Sequence, residues 1–432
     1  MCRDQDTDNA IGKRHGAETA IAADRPIWLG SGAWRIAEAL ARLDAAPVPI
    51  VAAAADVASV QARRHLDHLV RSNLAEHVDG RYTLTAEGCS MFADAPALDV
   101  AGCERVAHWY ASALFAAARR LGSAALPGGE EIDPVPDRPA PVWAGFPEVA
   151  SWYAGEYESL LDVLEGEVRA GRNRSAWRLA LLMLNIDAVT GPSPAWREVA
   201  ELGAGAAGKT SERAGQAALA EYHGKLLLAV GEIEAARAAH EQAKDLWTAL
   251  GDEAGIVRSL NALGLVELRA GRVAEAESRL ARALELAEEI DAEEFATYAR
   301  LNLGAVCART GLLGEAGRLL TQSIKELRES GRQPYLADAL RALAEVHRRR
   351  GEHQRAREIA HEALEVATGC GLPQFLAAVL VELGAIHEAA GESHDALACW
   401  HEAQGIYTEL GDGLRAQAVR EQLDTLDHRE GA

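Results

Sequence analysis

Residues Glu201–Arg213 read ELGAGAAGKTSER, and two nucleotide-binding patterns overlap there. Gly203, Gly208, Lys209 and Thr210 fit G-x-x-x-x-G-K-[ST], in which the amides of a glycine-rich loop cradle phosphates and the lysine reaches them. Gly203, Gly205 and Gly208 also fit the dinucleotide pattern G-x-G-x-x-G. Both chemistries need a buried strand before the first glycine and a helix N-terminus after the last, so that amides point at phosphate. The preceding SPAWREVAEL instead places Trp196, Val199 and Leu202 at helical spacing, and no βαβ alternation surrounds it. The expectation is therefore a decoy: a flexible linker in which Thr210 caps the next helix, with no cofactor and no enzymatic activity.

Other chemistry-bearing residues form three groups. Arg63, Arg64 and Arg71 on one amphipathic segment, with Arg81 after it, make a locally positive surface suited to phosphate and base-edge contacts. The plainer reading is a protein-packing module with solvated arginines. A second group repeats: Arg269, Arg309 and Arg349 stand two residues before successive glycines, with Arg258, Arg341 and Arg348 nearby and Asn261 and Asn302 on the same helices. Guanidinium groups aligned in an acidic protein suit an acidic peptide or carboxylate, although a cation in a helix's last turn is also favoured by the dipole alone. The third group, His65 and His68, lacks the acid or cysteine a metal site needs, and His347 and His387 read as packing residues. No metal site is expected.

What positions the second group is a repeat. Gly264, Gly304, Ala344 and Gly384 stand forty residues apart, as do Gly271, Gly311, Gly351 and Gly391. Ala276, Ala316, Ala356 and Ala396 follow the same period, and so do Ala283, Ser323, Ala363 and Ala403. Gly224, Gly231, Ala236 and Ala243 extend the series one unit upstream. The first small residue lets helix A press on helix B, the glycine ends helix A, and the two alanines admit neighbouring helices. This spacing resembles the tetratricopeptide repeat (TPR), with a period of forty rather than thirty-four and hence longer helices, as in its kinesin-light-chain-like branch.

Upstream, WRIAEALARL, PVPIVAAAADV and SVQARRHLDHLVRSNL read as three helices, the third burying Val60, Leu66, Leu69, Val70 and Leu74. AEHVDGRYTLTAEG then reads as a hairpin turning at Asp79–Gly80. Three helices and a hairpin resemble a winged helix. The order winged helix, helical connector, long-period TPRs resembles the C-terminal half of the actinobacterial STAND (NB-ARC) regulators. In that family an ATPase module precedes the winged helix, whereas only about 26 residues precede it here, so the ATP-driven switch is not carried over.

The expected fold is mainly α, an N-terminal winged helix followed by a right-handed TPR α-solenoid. Its expected parts are a disordered tail (1–26), a winged-helix-like domain (27–95) and a helical connector (96–174) with a Pro-rich loop at 126–147. An irregular helix pair (175–210) and five forty-residue units with a capping helix (211–432) complete it. Composition agrees with a soluble helical protein: 49% hydrophobic, 25% charged, 5% aromatic. A net charge of −21 opposes broad affinity for nucleic acid or anionic membrane. Six scattered cysteines suit free thiols in a reducing cytoplasm, and no signal peptide or membrane-spanning run is legible. The expected role is a non-enzymatic regulator or scaffold holding a protein or peptide in the TPR groove. The alternative is a DNA-binding regulator whose repeats sense a ligand.

Overall fold

The computed structural model describes residues 29–43, 45–122 and 126–430, and the expected disordered tail lies outside them. The chain is mainly helical and divides into two compact units. One comprises residues up to Ala117 with Glu131–Val142 and Gly155–Leu179; the other comprises Ala118–Glu130, Trp143–Ala154 and residues from Ala180 onward.

The first unit begins with α1 (Ser31–Leu40), β1 (Ala45–Pro47), α2 (Val48–Ala54), α3 (Ser59–Arg71), β2 (Ala75–Val78), β3 (Arg81–Leu84) and α4 (Ala86–Met91). The strands form one antiparallel sheet in the order β1-β3-β2. Asp79 and Gly80, both at positive φ, make the tight turn between β2 and β3. Strand β1 escapes sequence reading because three residues cannot show an alternation. Leu66, Leu69 and Leu74 are buried as expected, joined by Ala62, whereas Val60 is 74% exposed and Val70 37% exposed. His65 of α3 lies so near Gly32 of α1 that a Cβ there would sit 2.6 Å from Nε2.

Helices α5 (Val100–Arg120) and α6 (Phe146–Arg169) follow. The Pro-rich stretch between them wraps rather than dangles. Trp109 Nε1 donates to the Arg138 carbonyl (2.8 Å), while Arg138 donates to the Val57 carbonyl (2.9 Å) and to Asp56 (3.0 Å). Glu156 of α6 is buried, ion-paired with Arg81 of β3, and accepts from the Tyr110 hydroxyl of α5 (2.8 Å).

The second unit continues from α7 (Asn173–Thr190) through α8 (Trp196–Gly208) into paired helices. The pairs are α9 (Arg213–Ala229) with α10 (Ile233–Leu250), α11 (Glu253–Arg269) with α12 (Val273–Glu289), and α13 (Glu293–Thr310) with α14 (Leu313–Ser330). Then come α15 (Gln333–Arg349) with α16 (His353–Cys370), α17 (Pro373–Ala389) with α18 (Ser393–Glu409), and a last helix, α19 (Gly413–Glu430). The odd-numbered members α11, α13, α15 and α17 also touch one another in succession, forming one continuous inner layer.

The small-residue column is matched to its partner sixteen positions on. A Cβ on Gly264 would sit 2.6 Å from Leu280 Cγ, one on Gly304 2.8 Å from Leu320 Cγ, and one on Gly384 2.5 Å from Trp400 Cδ1. Where the column has alanine, at Ala344, the equivalent partner is Ala360, also fully buried. Each pair thus fills a similar volume by trading a side chain from one helix to the other, as interior packing density requires. Gly191 (φ 99°), in the α7–α8 turn, meets the far end of the array. A Cβ there would overlap the Leu410 carbonyl, 3.1 Å from its carbon.

Candidate functional site

The phosphate-loop pattern is helical. Residues 203–208 belong to α8, so their amides bond carbonyls within the helix, and the Lys209 and Thr210 amides donate to Ala206 (3.1 Å) and Ala207 (3.0 Å). No row of free amides is left to face a phosphate. This corrects the expected linker, and the reason is packing: Gly203 is where α8 crosses α7 and α9, a Cβ there lying 2.6 Å from Ala180 Cβ and 3.1 Å from Leu219. Thr210 Oγ1 accepts from the Glu212 amide at 3.2 Å, while Glu212 itself stands at the N-cap of α9. Lys209 is exposed.

The arginines of the first unit separate. Arg63, Arg64 and Arg71 are exposed on α3. Arg81, expected to meet phosphate from the hairpin, instead turns inward to Glu156 and to the Ala45 carbonyl (2.6 Å). A buried carboxylate demands a paired cation, and Arg81 is the one in reach. Burial still raises the Glu156 carboxyl above its usual range, with Arg81 and Tyr110 opposing, and it pushes the Tyr110 hydroxyl well up.

On the inner layer most expected groove cations already have acids. Arg258 reaches Glu221 (3.3 Å), Arg341 holds Asp338 (2.8 Å), Arg348 holds Glu382 (2.7 Å) and Arg349 holds Glu345 (2.9 Å). Asn302 Nδ2 donates to Asn261 Oδ1 (2.9 Å), so the two amides bind each other across α11 and α13. These pairings correct the picture of an open guanidinium column, since helices at TPR spacing bring i,i+3, i,i+4 and next-repeat acids within reach. Arg269 and Arg309 are different. Neither makes a hydrogen bond or ion pair with a described residue, Arg309 being exposed and Arg269 half-buried. Burial lowers the Arg269 guanidinium below its usual value, the like charges of Arg415 and Arg309 push the same way, and Asp412 and Tyr407 oppose them. Asp412 is itself paired with Arg415 at 3.4 Å.

Sequence reading missed an aromatic cluster on the same helices. The Tyr298 and Tyr335 rings lie 4.2 Å apart, with Phe375 6.2 Å beyond Tyr335. Arg258 stands over the Phe295 ring at 5.7 Å. Phe295, Tyr335 and Phe375 repeat at forty residues, a signal present in the sequence but masked by Gly215 and Gly255 at the equivalent earlier positions. Tyr335 keeps 39% of its surface exposed. Burial raises its hydroxyl, opposed by Lys225, with Tyr222 adding to the rise, which brings α9 within electrostatic reach of α15. Burial acts to lower Lys225, but Glu221 and Tyr222 outweigh it and hold the ammonium above its usual value.

The histidines are latches rather than packing residues. His347 Nδ1 meets Glu352 at 2.5 Å and His387 Nδ1 meets Glu392 at 2.6 Å, each across the glycine that ends helix A. Glu267 and Arg272 make the same latch with charges exchanged (2.6 Å). His387, Glu392 and Asp395 cluster with metal-like spacing, yet Glu392 is already held by Arg357 at 2.7 Å. No helix among the described residues is long and apolar enough to cross a membrane.

No curated protein matches the chain. Among solved structures, BtubC (BKLC) from P. vanneervenii is 18% identical, covering 59% of this chain and 92% of that one (TM-score 0.36). NprR in complex with its cognate peptide NprX is 12% identical, covering 65% and 85% (TM-score 0.48). Aspartyl phosphate phosphatase F from Bacillus subtilis is 10% identical, covering 92% and 94% (TM-score 0.47). The tetratricopeptide repeat family model matches residues 215–289 and 294–368, and the chain therefore carries tetratricopeptide repeats over the segment that holds the inner arginines, Phe295, Tyr298 and Tyr335.

Proposed function

We propose that this protein is a non-enzymatic regulator or scaffold whose repeat array holds an acidic segment of a partner protein or peptide against its inner helices. The observation that carries the reading is the pair Arg269 and Arg309, which make no hydrogen bond or ion pair with a described residue on a layer where neighbouring arginines are ion-paired. A carboxylate bound by two guanidinium groups is a strong, directional contact. Capture from a lysate of the source cells on immobilised protein tests this, comparing wild type with Arg269→Glu/Arg309→Glu. A partner retained equally by both refutes the reading.

The first unit we read as a winged helix, supported by the order β1-β3-β2 and by α3 preceding the hairpin. Its place before the repeats is the order that resembles the C-terminal half of STAND regulators. A second reading, DNA binding through α3, draws on the exposed Arg63, Arg64 and Arg71. A gel shift that is salt-sensitive, sequence-selective and abolished by Arg63→Ala/Arg64→Ala would favour it; unchanged mobility would remove it.

A further inference from the structure

The forty-residue period sets each position beside its counterparts in the other helix pairs, and one face of α14 breaks the pattern. At the position of Gly317 the other pairs carry Arg237, Glu277, Arg357 and Leu397. At that of Gly314 they carry Glu234, Ala274, Gln354 and His394. Glycine weakens a helix, so two on one face need a reason. Here they clear space: a Cβ on Gly314 would have nothing within 4 Å, and one on Gly317 would meet only the Arg350 guanidinium, at 3.3 Å. The result is a groove of 660 Å³ between α14 and α15, lined by Leu343, Arg318, Lys325, His347 and Arg350 and by no carboxylate. Its cations depart from the period as well. Arg318 has Ala238, Ser278, Glu358 and Ala398 as counterparts, Lys325 has Asp245, Glu285, Glu365 and Gly405, and Arg350 has Val230, Ala270, Thr310 and Ala390. Each is the one basic residue at its position, and all three line the same groove.

In two other pairs the arginine at Gly317's position holds an acid of the following pair, Arg237 with Glu267 (2.9 Å) and Arg357 with Glu392 (2.7 Å). Here Arg350 enters that space from the end of α15 and donates to the Leu313 carbonyl (2.7 Å), making no ion pair with a described residue. The other two cations are held loosely. Arg318 pairs with Glu315 one turn away (2.5 Å) and Lys325 stands 3.9 Å from Glu329, all four side chains being exposed. Exposed pairs of this spacing contribute little and yield to a stronger anion. We infer that this groove binds a phosphorylated small molecule, one phosphoryl group meeting Arg350 and Arg318 and a second anionic group meeting Lys325. Arg318 and Lys325 are seven positions apart on α14, two turns and about 10 Å, and point within about 20° of one direction. Three cations with no acid in the lining suit phosphoryl dianions, and the volume falls in the range of about 300–1,000 Å³ usual for small-molecule sites. The site is separate from the inner layer: none of Arg269, Arg309, Tyr298 or Tyr335 lines it. Its walls belong to successive helix pairs, so a bound ligand ties the two together and stabilises the fold by mass action.

Isothermal titration calorimetry on the full chain tests this with ATP, fructose 1,6-bisphosphate, fructose 6-phosphate and citrate as probes. ATP or fructose 1,6-bisphosphate should bind, and the tighter of the two identifies a nucleoside or a sugar as the carrier of the phosphoryl groups. Fructose 6-phosphate, with one phosphoryl group, and citrate, with carboxylates alone, should each bind about tenfold more weakly than that probe. Two variants restore what the other helix pairs carry. Lys325→Glu/Arg350→Ala removes the unmatched cations, and Gly317→Arg refills the cleared space. Each should weaken the Kd of the tighter probe by about tenfold or more, and the rise in melting temperature that the probe gives the wild type should vanish in both. Circular dichroism melts without ligand confirm that the variants fold, and the double variant decides alone if Gly317→Arg does not. No heat from either ATP or fructose 1,6-bisphosphate at millimolar concentration overturns the inference. Citrate binding as tightly as the phosphorylated probes overturns it too, as does wild-type affinity in Lys325→Glu/Arg350→Ala.

Discussion

Replacing Gly384 with alanine tests the size-matching between helices A and B directly. The new methyl group would land 2.5 Å from Trp400 Cδ1, against an indole that is 2% exposed and pinned by its Nε1 donating to the Val381 carbonyl at 3.1 Å. Overpacking of this kind costs about 1–3 kcal/mol, and displacing the indole forfeits its hydrogen bond, about 1 kcal/mol more. Alanine gains about 1 kcal/mol over glycine inside a helix, so the net loss is about 1–3 kcal/mol. Trp400→Ala alone should cost about 3–5 kcal/mol by leaving a cavity. The double variant recreates the arrangement of Ala344 and Ala360 one repeat earlier. There the added methyl meets no indole and the helix gain survives, for a total near 2–4 kcal/mol rather than the roughly 4–8 expected of independent changes. Urea denaturation followed by far-ultraviolet circular dichroism gives all three values, with the slope m checking that the transition stays comparable. Additivity to within about 0.5 kcal/mol would show that the two positions do not share one space, and would refute the reasoning.

Three other perturbations have definite outcomes. Asp187 is 1% exposed, and burial pushes its carboxyl up to about 7, against hydrogen bonds from Ser193 and Tyr153. Because the folded value lies above the unfolded one, near 4, its contribution is complete below about pH 4 and is lost as pH rises to about 7, by about 4 kcal/mol. Asp187→Asn should remove that slope and raise the melting temperature above pH 7; parallel stability–pH curves for the two proteins would contradict this. Arg81→Ala leaves Glu156 buried without its cation and should cost about 3–5 kcal/mol, with Arg81→Ala/Glu156→Gln recovering much of it in the same melts. Lys209→Ala should change stability by under about 0.5 kcal/mol and leave any nucleotide affinity measured by titration unaltered, since its neighbouring amides are bonded within α8.

The repeat was legible because close helix crossings admit few residue types, so Gly264, Gly304, Ala344 and Gly384 keep time whatever surrounds them. Helix ends were legible for a similar reason: Gly271, Gly311 and Gly351 all take the positive φ that a terminating glycine permits. Charge pairing was only half legible. Asp338–Arg341 and Glu345–Arg349 sit at helical spacing and were available to a closer reading, whereas Arg81–Glu156 joins residues 75 apart and follows from tertiary packing alone. The glycines of the phosphate-loop pattern misled because glycine serves two purposes, freeing a loop and thinning a helix, and Gly203 does the second.

An array of nearest-neighbour repeats behaves as a line whose two ends fray independently. The meeting of Gly191 with Leu410 removes that independence, because each terminus is part of the other's shelter. This contact joins residues 219 positions apart. A change that displaces the turn after α18 would therefore be felt at the α7–α8 turn as well as at α19.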